Sequence, residues 1–131
     1  MPLKSFRVGR MSKISKVAKL LSPMAREVER TFDEFTIQGD NWIIVLFELE
    51  SSIRIVIHRT ILVADFDFAP YKPLRGYVEF IQFKDNELKL ERSYRSFLTL
   101  ERLRIIYEVT SLVIPASLSV REILQVIFAF L

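Results

Sequence analysis

The chain contains no cysteine. Disulfide frameworks, thiolate metal sites and cysteine nucleophiles are therefore excluded, and the composition is compatible with a reducing, cytoplasmic compartment. Glycine is scarce as well: Gly9, Gly39 and Gly76 are scattered, so neither a phosphate-cradling loop nor a dinucleotide fingerprint exists. His58 is the one histidine, which removes metal sites built on several imidazoles, and its place among Ile55, Val56 and Ile57 reads as a partly buried structural position. Side-chain amides are limited to Gln38, Asn41, Gln82, Asn86 and Gln125. Such depletion of heat-labile residues, beside abundant Arg, Glu and Ile, points to a thermophilic source, archaeal or archaeal-viral. The N-terminus has no uninterrupted apolar stretch before a small-residue cleavage site, so no secretory signal is expected.

The most informative absence is local. Residues 1–26 carry no acid, while they hold Lys4, Arg7, Arg10, Lys13, Lys16, Lys19 and Arg26. The net charge of +3 thus divides into +7 on this segment and −4 on residues 27–131, where 12 bases meet all 16 acids. Within it, Met11, Ile14, Val17, Ala18 and Leu21 fall on one helical face and Lys13, Lys16 and Lys19 on the other, predicting a basic amphipathic helix over 11–21. Bases arrayed without intervening acids can neutralise phosphates and release counterions, which makes these seven residues the candidate nucleic-acid contacts. Phe6 is the segment's one aromatic, so contact with the backbone of duplex or structured RNA is expected rather than base stacking. The bland alternative is a solvated helix face packed through Ile14, Val17 and Leu21. Docking on an anionic membrane surface would call for Trp or Phe anchors that the apolar face lacks.

With 131 residues, half of them apolar, the chain has the size of one compact domain, 1–131, with a basic helical segment at 1–26. Ser22 and Pro23 predict a second helix running through Phe35, with Met24, Val28, Phe32 and Phe35 on its apolar face. After the turn formers at 38–41 the pattern alternates, predicting strands at 42–49, 53–59 and 61–68. A three-residue loop at 50–52 sets Leu49 opposite Ile53, Phe47 opposite Ile55 and Val45 opposite Ile57. Pro70 and Pro73 mark a loop. A hairpin turning at Asp85 and Asn86 sets Phe83 opposite Leu88, Ile81 opposite Leu90 and Glu79 opposite Arg92. Thr99 predicts a helix through Leu103, Ile106 and Tyr107, stopped before Pro115, and Ser119 with Glu122 forms a capping box for a last helix. The expected fold is α+β: a mostly antiparallel sheet of about five strands, meander plus hairpin, flanked by two N-terminal and two C-terminal helices.

Catalytic chemistry has few parts to work with. Glu48 with Glu50, and Asp65 with Asp67, are the carboxylate pairs that could hold a magnesium ion, but no lysine stands beside either and a solvated strand face explains both. No cofactor, metal or enzymatic role is expected. The uncharged run 123–131 is too short for the roughly twenty residues of a membrane span, and its apolar side chains surround the helix axis. It must bury itself in the domain or in a second copy, which makes Ile123, Ile127, Phe128, Phe130 and Leu131 the candidate oligomer interface. The expected function is a small non-enzymatic protein, oligomeric, that contacts nucleic-acid phosphates through its basic helix. The competing reading is a structural or regulatory module of protein contact alone.

Overall fold

The computed structural model describes residues 12–31, 34–64, 77–83, 85–98 and 103–131. Helix α1, Lys13–Leu21, opens on Ser12, whose side chain accepts from Ser15 N, and buries Ile14, Val17, Ala18 and Leu21 as the sequence pattern predicts. A single 3-10 turn at Ser22–Met24 follows. Seven strands come next: β1 Glu27–Thr31, β2 Glu34–Gln38, β3 Trp42–Glu48, β4 Ser52–Ala64, β5 Tyr77–Phe83, β6 Asn86–Leu98 and β7 Leu103–Pro115. Helix α2, Val120–Ala129, ends the chain.

All pairings are antiparallel, in the order β1-β2-β3-β4-β7-β6-β5. Two meanders therefore meet at the centre of one sheet, where β4 and β7 pair over thirteen residues each. Strand alternation sends Ile37, Ile44, Leu46, Ile55, Ile57, Leu90 and Leu112 to one face, where they join Val17, Leu21, Ile123 and Ile127 in a single buried cluster. Both helices cover that face. The other face is open, with Arg54, His58 and Val113 among its exposed side chains.

The expected five strands and four helices are thus corrected to seven strands, with two α-helices among the described residues. Where a helix is expected from Ser22 through Phe35, a 3-10 turn at Ser22–Met24 leads into β1, and Glu34 and Phe35 open β2. The local composition suits a helix, but Ile37 enters the core from β2, and β1 completes a ladder along it. Tertiary pairing overrides a weak propensity here. The helix expected after Thr99 is β7, in which six of thirteen residues are β-branched, the class that loses side-chain freedom in a helix and packs well on a pleated surface. Segments 53–59 and 61–64 form one continuous strand, β4, and 65–68 lies outside the described residues.

Two registers also differ from expectation. In the β3–β4 hairpin Leu46 faces Ile55, Ile44 faces Ile57 and Phe47 faces Arg54, one residue away from the predicted pairing. Both strands are apolar on both faces, so alternation alone does not choose which set is covered. The observed choice buries Ile44, Leu46, Ile53, Ile55 and Ile57 together and leaves Phe47 on the open face beneath the Arg54 guanidinium, 5.9 Å from the ring centre. In the β5–β6 hairpin Ile81 faces Leu88 and Glu79 faces Leu90, a two-residue shift that leaves every residue on its expected face. Between β2 and β3, Gly39 N donates to Trp42 O at 2.9 Å and the indole lies directly on Gly39, where any Cβ would collide with it.

Candidate functional site

Helix α1 lies against β2 and β3 and beside α2, so its outward face is part of the helical surface of the molecule. Lys16 and Lys19 stand on that face, exposed. Lys19 occupies the last turn, where a cation also complements the partial negative charge of the helix end. Lys13 has a different task. Its Nζ donates to Ala116 O at 2.6 Å and Leu118 O at 2.8 Å, two carbonyls of the link between β7 and α2. It is a brace between the first and last helices, and its ammonium is occupied by the fold.

Arg26 follows the 3-10 turn and pairs through Nε with Asp40 Oδ1 at 2.5 Å, both side chains being 75% exposed. An exposed pair of this kind contributes roughly 0–1 kcal/mol and leaves the guanidinium accessible to other anions. Lys4, Arg7 and Arg10 lie outside the described residues. The sequence pattern missed Arg30. On β1 it shares a face with Val28, which pairs with Ile37, so Arg30 belongs to the helix side of the sheet, its guanidinium 5.4 Å from the centre of the Phe35 ring. The signal for it, alternation along β1, is invisible while the segment is read as a helix. Arg121 adds a further exposed base on α2.

Of the acids that follow the basic segment, Asp40 pairs with Arg26 and three others lie on the far face of the sheet. Glu27 pairs with Gln38 and Glu29 with Thr36, residues that alternate with the buried Ile37, so both carboxylates belong to the open face. Glu34 is on that face too, where it accepts from Thr36 Oγ1 at 3.5 Å. The sheet thus stands between these three carboxylates and Lys16 and Lys19.

The remaining candidates separate. Glu48 ends β3 while Glu50 sits in the following turn, so they do not share a strand, and both are exposed. Asp65 and Asp67 lie outside the described residues. His58 is exposed on the open face, paired with Ile43 and Val109, and not partly buried as expected. Among the described residues no three His, Asp or Glu side chains come together as a metal-holding group.

On the covered face, just past the apolar cluster, lies a polar row that the sequence did not suggest. Glu108 is 6% exposed and bonds Arg59 Nη1 at 3.4 Å, and fully buried Thr110 accepts from Arg92 Nε at 3.1 Å. Phe130, just beyond α2, places its ring 5.3 Å from the Arg92 guanidinium carbon. These groups satisfy one another where the helical layer ends.

Of the expected oligomer interface, Ile123 and Ile127 have no exposed surface and belong to the core. Phe130 and Leu131 pack against that core, and Phe128 is half exposed. No described helix is long and apolar enough to cross a membrane. Comparison with protein-family models, curated proteins and solved structures finds no match to this chain.

Proposed function

We propose that this chain is a non-enzymatic nucleic-acid-binding protein that contacts phosphates through the basic surface of its helical layer. The observation that carries this reading is that Glu27, Glu29 and Glu34 are turned across the sheet from α1, although Glu48 and Glu122 stay on the helix side. Lys16 and Lys19 project from α1, with Arg30 on the same side of the sheet, while Glu27, Glu29 and Glu34 belong to the opposite face. Had those carboxylates lain beside the lysines, the local excess of positive charge would vanish in space. Lys4, Arg7 and Arg10 precede α1 in sequence and add three charges of the same sign. Lys13 is withdrawn from the phosphate-binding set because its three donors are largely used by Ala116 O and Leu118 O. Contacts of this type give affinity without base selectivity, since phosphate oxygens carry no sequence information.

Fluorescence anisotropy with a labelled DNA duplex and a structured RNA hairpin, titrated across a range of salt, tests the proposal. Binding should weaken linearly in log–log form as salt rises, with about 0.9 in slope for each duplex phosphate neutralised. The double variant Lys16→Ala/Lys19→Ala should flatten that slope. No binding at low salt, or an unchanged slope in the variant, would overturn the proposal.

A further inference from the structure

We infer, resting on the phosphate-binding reading above, that the groove between α1 and α2 stacks an unpaired base on Phe128, so that single-stranded or looped nucleic acid is the preferred ligand. Phe6 is the one aromatic of the basic segment, and α1 itself has none. The fold supplies one from the far end of the chain. Lys13 Nζ donates to Ala116 O and Leu118 O, so α1 and α2 start at the same end of the sheet. Both run the same way along it. Just past α1, Arg26 N donates to Gln38 O, at the level of Val109 across the ladder; just past α2, the Phe130 ring meets Arg92, which pairs with Thr110. The helices are nine and ten residues long, so their last turns stand level.

Helical handedness decides which side chains flank the groove. Seen from the common start with the sheet below, successive residues of a right-handed helix turn clockwise by about 100°. With Ile14, Val17, Ala18 and Leu21 facing down, Lys13 is on the right of α1, toward α2, and Lys16 and Leu20 rise above it on that flank. With Ile123, Val126 and Ile127 facing down, Leu124 and Phe128 are on the left of α2, toward α1, and Arg121 stands two turns before Phe128 on the same side. Leu20 is 57% exposed and Phe128 50%, and Lys16, Lys19 and Arg121 are exposed beside them. Glu122, the one acid of the two helices, is on the opposite flank of α2, where its carboxylate accepts from Ser119 N. An aromatic face and an apolar side chain thus lie among three cations, which complements a polyanion that carries exposed bases. The cations track phosphates, and the ring stacks on a base of any identity. A paired base is already stacked inside its duplex, so single strands and loops alone can use the ring.

Anisotropy titrations of the full chain with a labelled single-stranded oligothymidylate and with a DNA duplex of equal length test this. Phe128→Ala should weaken single-strand binding roughly five- to 150-fold, the effect of one lost stack, and leave duplex affinity unchanged. The salt slope for each probe should stay as in the parent, because no phosphate contact is removed. Phe128→Tyr keeps the ring and should bind both probes as the parent does. Phe128→Leu keeps the apolar bulk and should lose single-strand affinity as the alanine variant does, which separates stacking from packing. Unchanged single-strand affinity in both Phe128→Ala and Phe128→Leu, or single-strand and duplex affinities that fall together, overturns the stack and leaves the phosphate reading standing. A parent chain that binds neither probe at low salt overturns the phosphate reading and the stack with it.

Discussion

Lys13 and Lys16 lie three residues apart on one short helix, and their surroundings assign them opposite roles. The Lys13 ammonium donates to Ala116 O and Leu118 O and so holds the start of α1 to the link before α2. Hydrogen bonds to a charged donor are worth roughly 1.5–3 kcal/mol, and removing the donor leaves two partly buried carbonyls short of a partner. Lys13→Met, which keeps most of the side chain's bulk, should therefore lower unfolding free energy by about 1–3 kcal/mol in urea denaturation with an unchanged m value. Lys16→Met, at an exposed position, should stay within about 0.5 kcal/mol of the parent. A Lys13 variant as stable as the Lys16 variant would remove the brace from the account. From sequence these lysines are indistinguishable, because both sit opposite Ile14, Val17 and Leu21 on the helical wheel. What separates them is a pair of carbonyls more than a hundred positions away, and no local pattern encodes such a contact.

At the scale of elements, legibility followed the range of the interaction that forms each one. Both α-helices are stated by local chemistry: α1 by its apolar spacing, α2 by Ser119 and Glu122, whose side chains reciprocally bond Glu122 N at 3.1 Å and Ser119 N at 3.0 Å. Ser119→Ala should remove the cap and cost about 1 kcal/mol, which for a chain of this length lowers the thermal midpoint by roughly 4 °C, as calorimetry would read. β7 is not legible locally because its long partner, β4, is distant in sequence, and β1 is not because its composition suits a helix although its partner, β2, comes directly after it. The spacing of Arg104 and Glu108 suits a helical ion pair, yet in β7 Glu108 points into the covered face and bonds Arg59 of β4. The β3–β4 register is hard to read from sequence for a further reason: Phe47 and Leu46 are equally apolar, and only the helices that cover one face decide which of them is buried. In the β5–β6 hairpin the observed register is a two-residue slip from the expected one, which preserves faces, so the burial of Leu88 and Leu90 is legible in the sequence although their partners are not.

The whole molecule has two unlike sides, and the thickness of the sheet decides how far one influences the other. Exposed charges are screened by salt over a Debye length of about 8 Å at physiological ionic strength. A phosphate docked on Lys16 and Lys19 lies across the sheet from Glu27, Glu29 and Glu34 on the open face. Changes of equal charge on the two sides should have unequal effects. Lys16→Gln/Lys19→Gln should reduce the slope of log affinity against log salt by up to about 1.8 for duplex DNA, the value for two lost phosphate contacts. Glu27→Gln/Glu29→Gln should leave that slope unchanged and alter affinity at 0.15 M salt by less than about twofold, because the added positive charge is screened from the bound phosphate. Anisotropy titrations of the two double variants beside the parent would read both quantities. Equal effects from the two pairs would mean that affinity follows net charge alone, and the separation of charge across the sheet would then carry no functional weight.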